Sequence, residues 1–360
     1  MLAYSTHEEL IEERDCLQLQ LMRRTAKLLI AYSASFFSTL VIGDAVLAAS
    51  AMFRLRVGYT SVGGNRAPLW IARDQNIFNK YGLDVELVYI PGAATAVPAL
   101  LSNDLQILAG SAATTLQAAS QGAKLVIFGT FGPTPYILFT RPEIKTPAQL
   151  KGATIGISRT GSSDYYALRR ALQKLGLAPD RDVKIVTSGD ASVRWSALDK
   201  NLIQATLTSA STMLRRPIQA NPLVELIKLG IEDHGSALVT TREFMSGPVQ
   251  TVDRFVRAFV EAIALGRTNS RISKSVFARN LRESNEAYLD FLQRVYVLGS
   301  IPKVPLYPPE ILKNFISDLG EESPKVRALS VAEILDNSLI RRLDEEGFID
   351  RLYNQKREGS

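Results

Sequence analysis

The sequence predicts an α/β protein of two similar lobes facing a central ligand cleft, joined by two chain crossings. Three observations predict it: length, a passage written twice, and strands that alternate with helices. The chain has 360 residues, too many for one ordinary core and suited to two. Residues 99–116 read ALLSNDLQILAGSAATTL and residues 197–214 read ALDKNLIQATLTSASTML. At a constant offset of 98, Ala99/Ala197, Leu100/Leu198, Asn103/Asn201, Gln106/Gln204, Ser111/Ser209, Ala112/Ala210, Thr114/Thr212 and Leu116/Leu214 are identical. The same offset aligns RVGYTSVGG (56–64) with TIGISRTGS (154–162) and VELV (85–88) with VKIV (183–186). Duplicated ancestry and shared architecture both give two similar lobes.

The N-terminus stands apart from them. Arg23, Arg24 and Lys27 precede the apolar run LLIAYSASFFSTLVIGDAVLAASA (28–51), which ends Ala49-Ser50-Ala51. A basic start, an apolar middle and a small-x-small end describe a secretory signal peptide cleaved near Ala51, so the expected location is periplasmic. A single membrane anchor is the alternative, against which stand Asp44 and the serines within the run. Cys16, the only cysteine, lies upstream, so the exported part has no thiol for disulfides.

The elements then follow in order. LRVGY (55–59) and ATIGI (153–157) read as the first strand of each lobe. Pro68 suits the first turn of a helix over LWIARDQNIFNKYG, and Gly82 its C-terminal end. In the second lobe Ser162 or Ser163 caps YYALRRALQKLG, where Leu168, Leu172 and Leu175 share a face and Gly176 closes the helix. Helices near 94–102 and 191–200 lead into the strands LQILAG and IQATLT. Such alternation implies βαβ units and a mostly parallel sheet in each lobe.

PYILFTR (135–141) reads as a strand leaving the first lobe, and residues 225–244 offer a strand running back. The expected divisions are 1–51 for the extension and signal peptide, 54–137 for the first part of lobe one, 138–236 for lobe two, and 237–360 for the return. Val252, Phe255, Phe259, Ile263 and Gly266 mark the inner face of a helix in that return, and the helices after it are expected to brace lobe one.

Ligands of parallel α/β sheets bind beyond the carboxyl ends of strands, where helix N-termini present backbone N–H groups. That rule selects TSVGGNRA (60–67), PGAATA (91–96), GSAATT (110–115), SRTGSSD (158–164) and TSAST (208–212). Each alone is ordinary turn chemistry; together, at equivalent strand ends, they favour one cleft. Arg66 and Arg159 are candidate holders of a carboxylate, sulfonate or phosphate. Ser209 and Asp190 join the ligand set, with a plain turn role as the alternative for Asp190. Tyr59, Trp70, Tyr136 and Tyr165 offer rings for stacking, with core packing as their default.

Several classes are excluded. His234 is the only histidine after residue 51, so a Cys/His metal site is out and no metal is expected. No GxxxxGK[ST] loop occurs, no cofactor is implied, and no dense basic run suggests nucleic acid. The net charge of +6 mildly favours anionic ligands, more so without residues 1–51, which hold four Lys/Arg against six Asp/Glu.

RVGYTSVGGNRAPLWIARDQNIFNKYGLDVELVYIPG, ALLSNDLQILAGSA and ILFTRPEIKTPAQLKGATIGISRTGSSDYYALRRALQKLGL resemble the substrate-binding proteins of nitrate/sulfonate/taurine-type ABC transporters, a group that includes the thiamine-pyrimidine-precursor branch. The resemblance covers residues 54 to 265 and, more loosely, the GFIDRLY tail. It implies a type II periplasmic-binding-protein fold, no catalysis, delivery of a small organic ligand to ABC permease subunits, and a monomer. Carried over by motif, Ser61, Gly63, Gly64 and Asn65 face ligand, as do Gly92, Ala93, Ala94 and Thr95, Ser111 and Ala112, and Arg159, Thr160, Gly161, Ser162 and Ser163. Gln106 and Gln204 depart from the pattern, since many members place aspartate there. The alternatives are a small-metabolite enzyme, with His234, Asp164, Asp190 or Asp233 as base, and a periplasmic sensory module.

Overall fold

A computed structural model describes residues 52–354 apart from 92, 216–219, 234 and 248. The expected signal peptide, Cys16, Gly92 and His234 therefore lie outside the described residues, as do the side chains of Ala93 and Ala94. The strands are β1 (Phe53–Tyr59), β2 (Leu83–Tyr89), β3 (Ile107–Ser111), β4 (Leu125–Thr130), β5 (Tyr136–Thr140), β6 (Thr154–Ile157), β7 (Lys184–Thr187), β8 (Ala205–Ser209), β9 (Asn221–Glu225) and β10 (Ser236–Thr241). They form two five-stranded sheets, ordered β2-β1-β3-β10-β4 and β7-β6-β8-β5-β9. In the first, β1 pairs in parallel with β2 and β3, and β10 runs antiparallel between β3 and β4. The second repeats this with β6, β7, β8, β5 and β9.

The doubled passage is doubled in its bonding. Asn103 (φ 63°) and Asn201 (φ 58°) both turn left-handed, a conformation that asparagine tolerates better than most residues. Three residues on, Gln106 Oε1 accepts from the Arg56 amide at 2.8 Å and Gln204 Oε1 from the Thr154 amide at 2.9 Å. Each glutamine also donates Nε2 to its asparagine carbonyl. A carboxylate accepts but cannot donate, which gives the amides a reason at these positions. Gly58 and Gly156 match as well: a Cβ would lie 2.5 Å from Leu105 in one lobe and 2.7 Å from Ile203 in the other.

Three elements differ from expectation. Tyr136–Thr140 lies wholly in the second sheet, so the first crossing falls at 131–135, before the strand. The helix expected over LWIARDQNIFNKYG is two helices, α1 (Ala67–Asp74) and α2 (Ile77–Lys80), broken where Asn76 turns left-handed at φ 54°. β9 joins the second sheet's edge unannounced, paired to β5 through an irregularity at Leu138/Phe139. The helices α3 (Ala93–Leu101), α5 (Ser163–Lys174) and α6 (Ala191–Asp199) match their expected spans closely, whereas the expected loop at 110–115 is mostly the first turn of α4 (Ala112–Ser120), which starts directly after β3.

After β10 come α7 (Arg242–Ser246), α8 (Val249–Thr268), α9 (Ser270–Leu281) and α10 (Glu286–Leu292), the last running into a π-helical segment over Gln293–Ser300. Val252, Phe255, Phe259 and Ile263 of α8 are buried against the first sheet, each worth roughly 1.5–3 kcal/mol in area removed from water. Gly266 lets α8 meet α1, since a Cβ there would lie 2.7 Å from Ile71. Then follow α11 (Pro309–Glu322), α12 (Pro324–Arg327), α13 (Val331–Ile334), α14 (Ser338–Glu345) and α15 (Phe348–Asn354). α11 does more than brace the first lobe. Its Ile311, Phe315 and Leu319 belong to one core with Leu116 and Leu125 of the first lobe and Ile155 and Leu168 of the second. Arg170 of α5 also meets Asp318 of α11 at 3.3 Å.

Candidate functional site

The two crossings hold the strand-end loops together. The Thr134 amide of the first crossing donates to the Asp233 carbonyl of the second at 2.8 Å. Ala112 donates to the Gly235 carbonyl at 3.0 Å, and Ala210 to the Pro135 carbonyl at 2.9 Å. Ser111 and Ser209 thus stand beside Ser236 and Tyr136, their register partners on the crossing strands. The Ser111 and Ser163 hydroxyls lie 3.4 Å apart, joining the lobes directly.

In the first lobe the turn after β1 folds its own cation inward. Arg66 is 1% exposed, stacked 4.7 Å from the Phe131 ring centroid, with Nη2 donating to the Ser61 and Ser236 hydroxyls at 3.1 and 3.2 Å. Its Nε and Nη1 are buried with no hydrogen-bond partner. Burial pulls the guanidinium down from its usual range to about 10. Asn65 donates to the same Ser236 hydroxyl at 3.1 Å. Gly63 faces Ser211 of the second lobe, 3.8 Å from where its Cβ would be, and Gly64 lies under the Tyr296 ring.

The second lobe's turn is organised by an anion. Asp164 accepts from the Ser158 amide at 2.8 Å and hydroxyl at 2.6 Å, and from the Ser162 hydroxyl. Ser162 is the N-cap residue of α5, but its hydroxyl bonds Asp164 and the Arg159 carbonyl instead of the helix. Arg194, buried in α6, lies 3.9 Å from Asp164. It donates to the Thr206 hydroxyl at 3.1 Å and to the Gly189 and Leu207 carbonyls. One side chain thereby ties β8 to the segment after β7, and reaches the turn after β6 through Asp164. Gly161, at φ +78°, comes within 3.3 Å of Gln117 of the first lobe, measured from a built Cβ.

The remaining expected residues spread outward. Arg159 is half-buried, and Thr160 is exposed with its amide on the Thr187 hydroxyl at 3.3 Å. Thr95 is exposed and bonds the Pro91 carbonyl of its own turn at 3.4 Å. Asp190 is exposed at the start of α6, and its charge together with partial burial raises the Tyr89 phenol. Tyr89 and Tyr59 hold their rings 5.4 Å apart at the end of β1 and β2. Trp70 and Tyr165 are core residues, 1% and 7% exposed.

Four contributors escaped the sequence reading: Ser236, Phe131, Arg194 and Tyr296. None carries a motif, and Tyr296 lies 85 residues from the Ser211 amide it meets. Asp233 entered only as a possible base. It is 1% exposed with neither carboxylate oxygen bonded, and burial raises it to about 7, opposed by Arg170 and aided by Asp164 and Asp318.

The sequence profile described as NMT1/THI5 like matches residues 64–267, more than half of the chain. The chain belongs to the NMT1/THI5-like family. A search of curated proteins returns no match. Among solved structures, the periplasmic aliphatic sulphonate binding protein SsuA from Escherichia coli is similar at 20% identity and TM-score 0.64, over 78% of this chain and 91% of that one. The periplasmic nitrate-binding protein NrtA from Synechocystis PCC 6803 is similar at 13% identity and TM-score 0.63, over 86% and 93%. A DSZB mutant in complex with biphenyl-2-sulfinic acid is similar at 16% identity and TM-score 0.64, over 82% and 99%. At these identities the likeness speaks for the fold, which this family member shares with periplasmic binding proteins.

Proposed function

We propose that this family member is an extracytoplasmic solute-binding protein that captures a small organic anion between its lobes and delivers it to an ABC permease. The observation that carries the reading is Arg66: a guanidinium taken out of water with two of its N–H-bearing nitrogens unbonded. Burying a charge without a partner is costly, and an anionic headgroup at the strand ends would complete it. Among the described residues no carboxylate pairs with it. Ser61, Ser111, Ser163 and Ser209 supply neutral donors nearby, suited to sulfonate, carboxylate or phosphate oxygens. The described residues contain no helix long and apolar enough to cross a membrane.

Binding, rather than catalysis, is supported by the state of the acids. Asp164 is occupied in holding its own loop, and Asp190 is exposed at the rim. The fold itself does not decide, because one structural neighbour, DSZB, is an enzyme.

A panel of sulfonates, carboxylates, pyrimidines and aromatic acids tests the reading by thermal shift and X-ray scattering. A binding anion raises Tm with the logarithm of its concentration above Kd, and Arg66→Gln reduces that affinity at least about 100-fold. No melting shift and no compaction across the whole panel would sink it.

A further inference from the structure

The segment from α10 through the π-helical run touches both lobes, and two of its hydrogen bonds converge on a single residue of the second. Tyr288, Leu292 and Tyr296, spaced four apart, are buried in the first lobe's core. The Tyr288 hydroxyl donates to the Ser211 carbonyl, and the Ser211 amide donates to the Tyr296 hydroxyl at 3.2 Å. Two phenols from one lobe therefore satisfy both backbone groups of one residue in the other. The neighbouring stripe, Phe291 and Val295, packs on the second lobe's cluster of Ile137, Phe139, Trp195 and Ala210.

Ser211 is two residues beyond β8, and its hydroxyl lies 2.9 Å from that of Ser209. On the other side, the Tyr296 ring rests on Gly64 of the β1 turn, where any Cβ would fall 2.3 Å from the ring. At the far end of the same segment, the Ser300 hydroxyl donates to the Pro133 carbonyl within the first crossing. π-Helical turns are rare and frequently found at functional sites. Here the turn carries Tyr296.

We propose that Tyr288 and Tyr296 are positioning residues that latch the β8 loop of the second lobe to the first. They hold Ser209 at the cleft and set the fraction of molecules closed before any solute arrives. This rests on the solute-capture reading, since a latch of this kind tunes apparent affinity through the competent fraction. Solute bound at Ser209 and Arg66 would add to contacts the tyrosines already supply.

The test needs no solute. Spin labels at Leu101→Cys and Leu202→Cys, exposed residues of the first and second lobes, are introduced with Cys16→Ser, and their distance distribution is measured by pulsed electron resonance. The expected result is a narrow short-distance population in the otherwise native protein. Tyr288→Phe with Tyr296→Phe keeps both rings but removes both bonds, so a longer population should emerge, with the open fraction raised about tenfold. Tyr288→Phe alone should give an intermediate distribution. An unchanged distribution in the double variant, whether or not Tm falls, overturns the latch and assigns the tyrosines to packing alone. An equally broad distribution before mutation overturns it too. Because no ligand is added, a failure of the anion panel leaves this result readable, and the two readings fail separately.

Discussion

Arg66 of the first lobe and Asp164 of the second occupy the same position of the repeat, 98 residues apart. Both are buried, at 1% and 5% exposure, at the turn after the first strand. Their surroundings differ. Asp164 is saturated by an amide, two hydroxyls and a nearby guanidinium, so the second lobe's turn is complete as it stands. Arg66 has two hydroxyls and a ring, and leaves two nitrogens unbonded. The same fold position thus carries a partnered anion in one lobe and a partly unbonded cation in the other. Similarity of architecture does not make the lobes equivalent.

The contrast can be broken from either side. Asp164→Ala should have the largest effect, destabilising the protein by about 3–5 kcal/mol in urea unfolding, because Arg194 is left buried without its anion. A loss below about 1 kcal/mol would mean that the second lobe's turn does not depend on that charge. Asp233, in the crossing between the lobes, provides the case of a buried acid with no bonds. Its native carboxyl, raised to about 7, keeps a proton that the unfolded chain begins to lose near 3.8. Stability should therefore fall as pH rises from about 4 to 7 and level off above. Asp233→Asn should remove that slope, gaining about 2–4 kcal/mol at pH 8 and little at pH 4. A wild-type stability curve flat across that window would contradict the assignment.

Smaller effects sharpen the repeat itself. Gln106→Glu and Gln204→Glu should each cost about 1 kcal/mol, and the two losses should agree within about 0.5 kcal/mol, since both delete the donor to an asparagine carbonyl. Unequal losses would show that the repeated clasp does different work in each lobe. The smallest expected change is Arg66→Met, which removes a poorly satisfied buried charge and should leave stability unchanged or raise it by about 1 kcal/mol. A loss of several kcal/mol would make Arg66 a structural cation like Arg194.

The fold was largely legible in the sequence because its signals are local. A left-handed asparagine, a glycine facing a leucine or isoleucine, and glutamine three residues after asparagine recur at one spacing, so the architecture could be read twice. The strand-end loops were legible for the same reason: small residues follow strands in both copies. What escaped depends on contacts distant in sequence. The crossing at 131–135 was misplaced because an apolar strand such as YILFT reads alike in either sheet, and only pairing to β8 and β9 decides. Arg194 looked like one arginine among many, since nothing local reveals that β8, the segment after β7 and Asp164 all meet it. Phe131 and Ser236, which frame Arg66, lie 65 and 170 residues beyond it.

The placement of β5 and β10 has a consequence for how the chain assembles. All five strands of the second sheet come from one continuous stretch, 136–225, whereas the first sheet begins at Phe53 and receives β10 only at 236–241. β10 sits between β3 and β4, so β4 is parted from the other three strands of the first sheet until the whole second lobe has been made. As the chain emerges, the later lobe is the one able to finish first. The earlier lobe waits, three strands on one side of a gap and one on the other, for the strand that returns to it.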